Sequence, residues 1–281
     1  MDNIIYEKMG RRLVWHDEFD KGEIDNSKWS NEKLMNNADV VYDNSKRHQC
    51  IENNMLHLMV NVEDGRFSTS MSITTKHTML FRYGYVEMRA KIPFRRGAWP
   101  SFWLKGETPY LRSKEGRNNW FPETDILEAF SSFDSVFANI HRWGSKNGES
   151  FHEMLPDNVK GQGRGYKFDT HEKAQDEFHI YGMLWDEHKM AFFVDDEKFF
   201  DVDIDETSVL VNDICGDMMG FHDPQYLIIN NEIFSESCSW YPQNGILKTD
   251  DQMPIDYYVD YVRLYQNGGK EKLYLGEHFD L

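Results

Sequence analysis

The residues best suited to chemistry in this chain are three acids in one short β-prone stretch, Pro122-Glu-Thr-Asp-Ile-Leu-Glu-Ala-Phe130. Side chains alternate along a regular strand, so Glu123 and Asp125 share a face and Glu128 points to the other. A single β-bulge near Ile126 and Leu127 reverses that parity and puts all three acids on one face. The glutamates then stand like an i, i+4 pair, with Cα atoms about 13 Å apart at ~3.3 Å per residue. Leaning inward, their carboxyls reach a separation of about 5 Å, which suits a retaining attack on an acetal. One carboxylate attacks the anomeric carbon and forms a covalent glycosyl-enzyme; the other protonates the leaving oxygen and then activates water. Asp125 can hold the nucleophile and keep the acid protonated near neutral pH. A solvated strand with its acids outward accounts for the same residues, because the chain carries 48 acidic against 31 basic side chains. Spacing alone leaves both readings open.

The surrounding elements must hold such a strand rigid, and their pattern is that of strands. In Tyr85–Ile92, Val86, Met88, Ala90 and Ile92 point one way and Tyr85, Glu87, Arg89 and Lys91 the other, until Pro93 ends the run. Phe178–Trp185 and Met190–Val194 read as two strands joined by a turn, with a second turn at Asp195-Asp196 before Lys198–Val202. Tyr226–Ile229 fits a buried strand and Tyr257–Tyr265 a further alternating one, while Glu206–Met219 leaves room for a short helix. Strand after strand with turn signals between them predicts an all-β sandwich of two antiparallel sheets. The domain is expected to span residues 1–265, with 266–281 as a C-terminal tail. A chain of 281 residues can bury a large core without disulfides, and its three cysteines cannot pair completely.

Net charge −17 repels nucleic acid and anionic membrane surfaces, and no apolar run is long enough to span a bilayer. Partners are therefore neither nucleic acid nor membrane. No apolar signal-peptide core follows the first residues, which leaves a secreted protein without its leader or a cytoplasmic one. The sequence contains no C-x-x-C, H-E-x-x-H, G-x-S-x-G, P-loop or G-x-G-x-x-G pattern. Asp201–Glu206 lacks the glycine of a calcium loop and reads as a strand with acids outward.

Aromatic rings stack on the C–H faces of sugars, which draws attention to the tryptophans. Trp99 and Trp103 share a strand face, as do His141 and Trp143 in Asn139-Ile-His-Arg-Trp143. Trp120 just ahead of Glu123, and Trp240 in a Ser/Tyr/Pro-rich loop, suit a cleft rim. Arg89 suits a sugar hydrogen-bond donor, and a solvated strand face explains it equally. Core packing is the competing reading for the tryptophans. Asp260 alternates with Val262 and Leu264, and a carboxylate on an apolar face needs a partner or a cation.

Glu123-Thr-Asp-Ile-Leu-Glu128 resembles the bulged E-x-D-x-x-E signature of glycoside hydrolase family 16, in its laminarinase-type form. Leu13–Asp20, Tyr83–Pro93, Gly97–Leu104, Phe178–Trp185 with Phe192–Asp195, and Val259–Tyr265 resemble further strands of that family, in the right order. The resemblance spans roughly residues 13–265. It implies a concave β-jelly-roll with an open cleft, needing no cofactor for catalysis and acting as a monomer on a β-glycan. It implies Glu123 as nucleophile, Glu128 as acid/base and Asp125 as the assisting acid. Thr124, where the family has an aliphatic residue, alternates away from the cleft. The resemblance also tips Trp103 and Trp99 toward the cleft and places His141 near the acids, with Trp143 as a subsite platform. It suggests a structural Ca²⁺ held by Asp260 and Glu18, with a buried salt bridge as the alternative. The implied reaction is retaining endo-hydrolysis of β-1,3 or mixed β-1,3/1,4-glucan. The alternatives are an endo-galactanase of the agarase, porphyranase or mucin endo-β-galactosidase type, for which Arg95, Arg96 and Arg112 could read sulfate, and a non-catalytic β-glycan-binding protein.

Overall fold

The structure, a computed structural model, describes residues 6–106, 119–146, 149–155, 165–205, 220–238 and 245–276. In chain order it begins β1 (Glu7–Lys8), β2 (Arg11–Asp17), β3 (Ser30–Glu32), β4 (Val40–Tyr42), β5 (Gln49–Glu52), β6 (Met55–Glu63) and β7 (Arg66–Thr69). There follow β8 (Ser72–Thr74), β9 (Met79–Arg82), β10 (Gly84–Lys91), β11 (Ala98–Gly106), β12 (Asn119–Glu128), β13 (Ser135–Lys146) and β14 (Glu149–Leu155). Next come β15 (Gly165–Lys167), the short helix α1 (His171–Asp176), β16 (His179–Trp185), β17 (Lys189–Val194) and β18 (Glu197–Asp203). The chain closes with β19 (Gln225–Ile233), β20 (Ile255–Gln266) and β21 (Lys272–Leu275).

These strands form two sheets. One runs β18-β17-β16-β10-β20-β6-β7-β4, with β2 on β20, β1 on β2 and β5 on β6. The other runs β14-β13-β12-β11-β19-β8-β3, with β15 on β13, β9 on β19 and β21 on β9. Among the described residues all pairs are antiparallel except β4 with β7. The expected all-β jelly-roll sandwich is the fold. Val86, Met88, Ala90, Val259, Val262 and Leu264 of the first sheet meet Phe102, Leu104, Leu127, Ile140, Leu227 and Ile229 of the second in one apolar core. The hairpin β17–β18 turns at Asp195 and Asp196, both with positive φ (49° and 69°), the geometry whose twist matches the flanking strands. Gly97 opens β11 with φ +79°, and a Cβ there would sit 2.5 Å from Leu247, so only glycine lets the cleft strand start so close to its neighbour.

Three expectations change. In β20 the register slips: Arg89 faces Tyr261 and Ala90 faces Val259, leaving Asp260 unopposed at a bulge. Val259 and Val262 therefore both enter the core while Asp260 turns outward to pair with Arg89. Glu18 is held on both oxygens by Arg263, at 2.9 and 2.7 Å. Each carboxylate is paired with its own guanidinium, so Asp260 and Glu18 do not face one another across a shared Ca²⁺ site; the Asp260 pair is a salt bridge, but a partly exposed one and not a buried one. Arg89 accordingly belongs to the outer face of the first sheet, away from the acids. Finally, the segment expected as a tail adds β21 to β9, and Tyr274 packs against Leu80, Tyr226 and Ile228. Four alternating residues are too few to read as a strand in sequence. Residues 206–219, where a short helix was expected, lie outside the described residues. Among the described residues no helix is long and apolar enough to cross a membrane.

Candidate active site

The three acids come from β12, between β11 and β13. Trp103 pairs with Asp125 and Phe102 with Leu127, so Ile126 has no partner on β11 and the strand bulges there. The β13 register breaks over the same stretch, between Asp125 and Glu128. Ile126 and Leu127 both sink into the core, and parity beyond them is reversed. Thr124 also faces the core, fully buried, with its hydroxyl donating to Gln225 at 3.2 Å. Glu123, Asp125 and Glu128 line one cleft of about 570 Å³.

Side chains from the flanking strands fix each acid. Trp99 donates its indole N–H to Glu128 Oε1 at 2.9 Å, and its ring stacks on Phe234 at 4.7 Å. Asn139 donates to the other oxygen of Glu128 at 3.3 Å. His141 Nε2 lies 2.9 Å from Asp125 Oδ2, and one ligand-type atom each of Glu123, Asp125 and His141 falls within 4.8 Å of the others. Trp103 donates to Asn230 Oδ1 at 2.8 Å and lines the cleft from β11, the strand that also carries Trp99. Trp143 lines the cleft, but His152 covers one of its faces at 3.5 Å with the rings 7° from parallel. Trp143 can offer a sugar only its other face or its edge. Trp99 is likewise tied on one face, by Phe234.

The electrostatics separate the acids. Burial, then the charge of Asp125, pushes Glu123 up to about 7, while His141, the Trp143 indole N–H and Lys105 pull the other way. Burial, then Asp125, holds Glu128 well above the ordinary carboxylate range, against the Trp99 N–H and His141. Burial raises Asp125 as well. Three carboxyls sharing one dry site cannot all ionise together, so the set keeps at least one proton near neutrality. Such a cluster can deliver a proton from one carboxyl while a neighbour attacks as an anion.

Trp120 pairs with Gly144 through its backbone, but its side chain, like all of Trp240 and Arg112, lies outside the described residues. Arg95 is bound to Gln252 O and Arg96 to Asp251, which directs both away from the acids. The cleft also holds Met35, Phe130, His152, Asn139 and Asn230, which sequence reasoning passed over. Alternation with His141 and Trp143 could have found Asn139. Nothing in Glu149-Ser-Phe-His152 marks its histidine.

Comparison with known proteins agrees with this architecture. A family model described as "Beta-porphyranase A-D, GH16 domain" matches residues 14–267. "Glucan endo-1,3-beta-glucosidase A1" of Niallia circulans is 25% identical over 92% of this chain, which spans only 38% of that protein's length. Among solved structures, one reported under "Prominent members of the human gut microbiota express endo-acting O-glycanases to initiate mucin breakdown" aligns with TM-score 0.67 and 28% identity, covering 92% of this chain and 91% of that one. The laminarinase catalytic domain from Thermotoga maritima aligns with TM-score 0.65 and 25% identity, covering 92% and 99%. The family match runs from β2 to the end of β20, the span over which the sandwich folds around Glu123, Asp125 and Glu128, and the chain therefore belongs to glycoside hydrolase family 16.

Proposed function

We propose that the protein is a retaining endo-β-glucanase acting on β-1,3 or mixed β-1,3/1,4-glucan. The observation that carries this reading is the bulge at Ile126, which puts Glu123, Asp125 and Glu128 on one face inside an aromatic-walled cleft. Glu123 attacks the anomeric carbon and becomes a glycosyl ester; Glu128 gives its proton to the departing oxygen. In the second half-reaction Glu128, now a carboxylate, takes a proton from water, which releases the sugar from Glu123. Asp125, paired with His141, keeps Glu123 oriented and helps Glu128 stay protonated. Sugar rings stack along the walls formed by Trp103, Trp99 and Trp143. The glucanase of Niallia circulans and the laminarinase of Thermotoga maritima support the choice of glucan. A polymeric substrate favours a location outside the cytoplasm.

A second reading, an endo-galactanase, is favoured by the porphyranase-type family model and by the mucin O-glycanase structure. The described cleft lining is aromatic and acidic, a surface suited to a neutral glycan. A non-catalytic binding protein is disfavoured because both glutamates are present and their proton affinities are raised. The test is reducing-sugar release and product sizing on laminarin, barley glucan, lichenan, agarose and mucin glycans. Release from the glucans, lost in Glu123→Gln and Glu128→Gln, is expected. Release from a galactan alone moves the substrate class to the second reading. Near-wild-type turnover in either variant refutes the assignment of the acids.

A further inference from the structure

We propose that His152 is a positioning residue for this reaction: with His141 it forms a two-imidazole unit that holds one positive charge against Asp125 and Glu123. This rests on the hydrolase reading and adds a residue to it. His152, on β14, places Nε2 2.9 Å from His141 Nδ1, and the other ring nitrogen of His141 lies 2.9 Å from Asp125 Oδ2. When Asp125 is ionised it only accepts, and His141 Nε2, 2.9 Å away, then carries the hydrogen that faces it. One further hydrogen lies between the two rings. If His141 Nδ1 carries it, His141 is donor to His152; if His152 Nε2 carries it, His141 accepts. Two hydrogens do not fit in that gap, and two adjacent cations repel, so the unit holds at most one positive charge.

Three features favour that charge. Asp125 Oδ2 lies 2.9 Å from one end of the unit, where an ionised carboxylate favours a cation, and His152 supplies an acceptor at the other. His152 also lies flat on the indole of Trp143, whose face attracts a cation. Among the described residues, the titratable groups facing the unit are Glu123, Asp125 and Glu128 of β12, with Lys105 of β11 acting on Glu123 from the other side. A charge held there eases ionisation of Glu123, the step that arms it as nucleophile. His152 is exposed and on an edge strand, so its main effect is on charge and ring orientation, with little on stability.

Two substitutions separate the hydrogen bond from the stack. His152→Phe keeps a flat ring over Trp143 and removes Nε2. His152→Gln loses the stack but carries an amide oxygen near the position of Nε2 and can accept from His141. The experiment records kcat/KM against pH for both variants and follows the imidazole titration of His141 by nitrogen-resolved NMR. His152→Phe is expected to move the acidic limb up by about half to one pH unit and to lower the titration of His141 by a similar amount. His152→Gln is expected to retain both near wild type, with any loss appearing in KM. An unmoved limb and unmoved His141 titration in His152→Phe overturn the proposal, as does an equal loss of rate in both variants without a shift. The NMR titration needs no substrate, so a wild-type protein inactive on every glycan would reject the hydrolase reading while the imidazole pair is still decided.

Discussion

Replacing Trp99 with phenylalanine is expected to move the alkaline limb of the pH–rate profile upward. The indole N–H donates to Glu128 Oε1 at 2.9 Å, while the ring itself stacks on Phe234 at 4.7 Å. Phenylalanine keeps most of the stack and removes only the donor. A hydrogen bond to an ionised group contributes about 1.5–3 kcal/mol and one to a neutral group about 0.5–1.5, so the ionised form loses roughly 1–1.5 kcal/mol more. At 1.36 kcal/mol per unit, that raises the proton affinity of Glu128 by about one pH unit. The sign follows from its role. Glu128 must be protonated for the first half-reaction, and a raised value keeps it protonated to higher pH, so the limb moves up. The second half-reaction needs Glu128 ionised, so kcat near neutrality falls at the same time. The assay is kcat/KM across pH on soluble glucan oligosaccharides, with kcat measured alongside. Lost contact area changes KM and leaves the limb in place. A limb that stays still or moves down would refute the assignment of Glu128 as acid, or the claim that Trp99 stabilises its charge.

Other expectations follow from the same geometry. Glu123 acts when ionised and is held at about 7, so kcat/KM is expected to rise through neutral pH; a rise centred near 4 contradicts this. Asp125→Asn removes the charge that raises both glutamates, and a profile whose two limbs fail to move down tells against that coupling. Glu87 is fully buried and bound by Lys8 at 2.5 Å and Tyr265 at 3.2 Å. Lys8→Met leaves that carboxylate without its cation and is expected to cost about 3–5 kcal/mol in urea unfolding, seen as a lower midpoint. Millimolar Ca²⁺ is expected to leave Tm unchanged, because Glu18 and Asp260 are paired with arginines; a calcium-dependent rise abolished by Glu18→Gln would overturn that pairing.

The all-β character of the chain was legible in the sequence because alternation and turn chemistry are local. Val86, Met88 and Ala90 point inward because neighbouring side chains on a strand must face opposite ways, and two successive positive-φ aspartates suffice to close a hairpin. The acid trio was legible for the same reason, up to one undetermined parity. That parity was decided only by pairing: Ile126 bulges because β11 and β13 fix the register on either side of it. A second bulge, at Asp260, reversed another inference, since a residue that alternates with Val262 and Leu264 in sequence lies outside the core once the ladder slips. The partners that tune the acids were not legible at all. Trp99 meets Glu128 across 29 positions, and His152 reaches Asp125 only through His141 on the intervening strand. Sequence by itself determined which residues could share a face, because that is a property of a single strand. Tertiary structure decided which faces meet, which charges are neutralised and which proton the site keeps, because each depends on groups that only neighbouring strands bring within hydrogen-bonding distance.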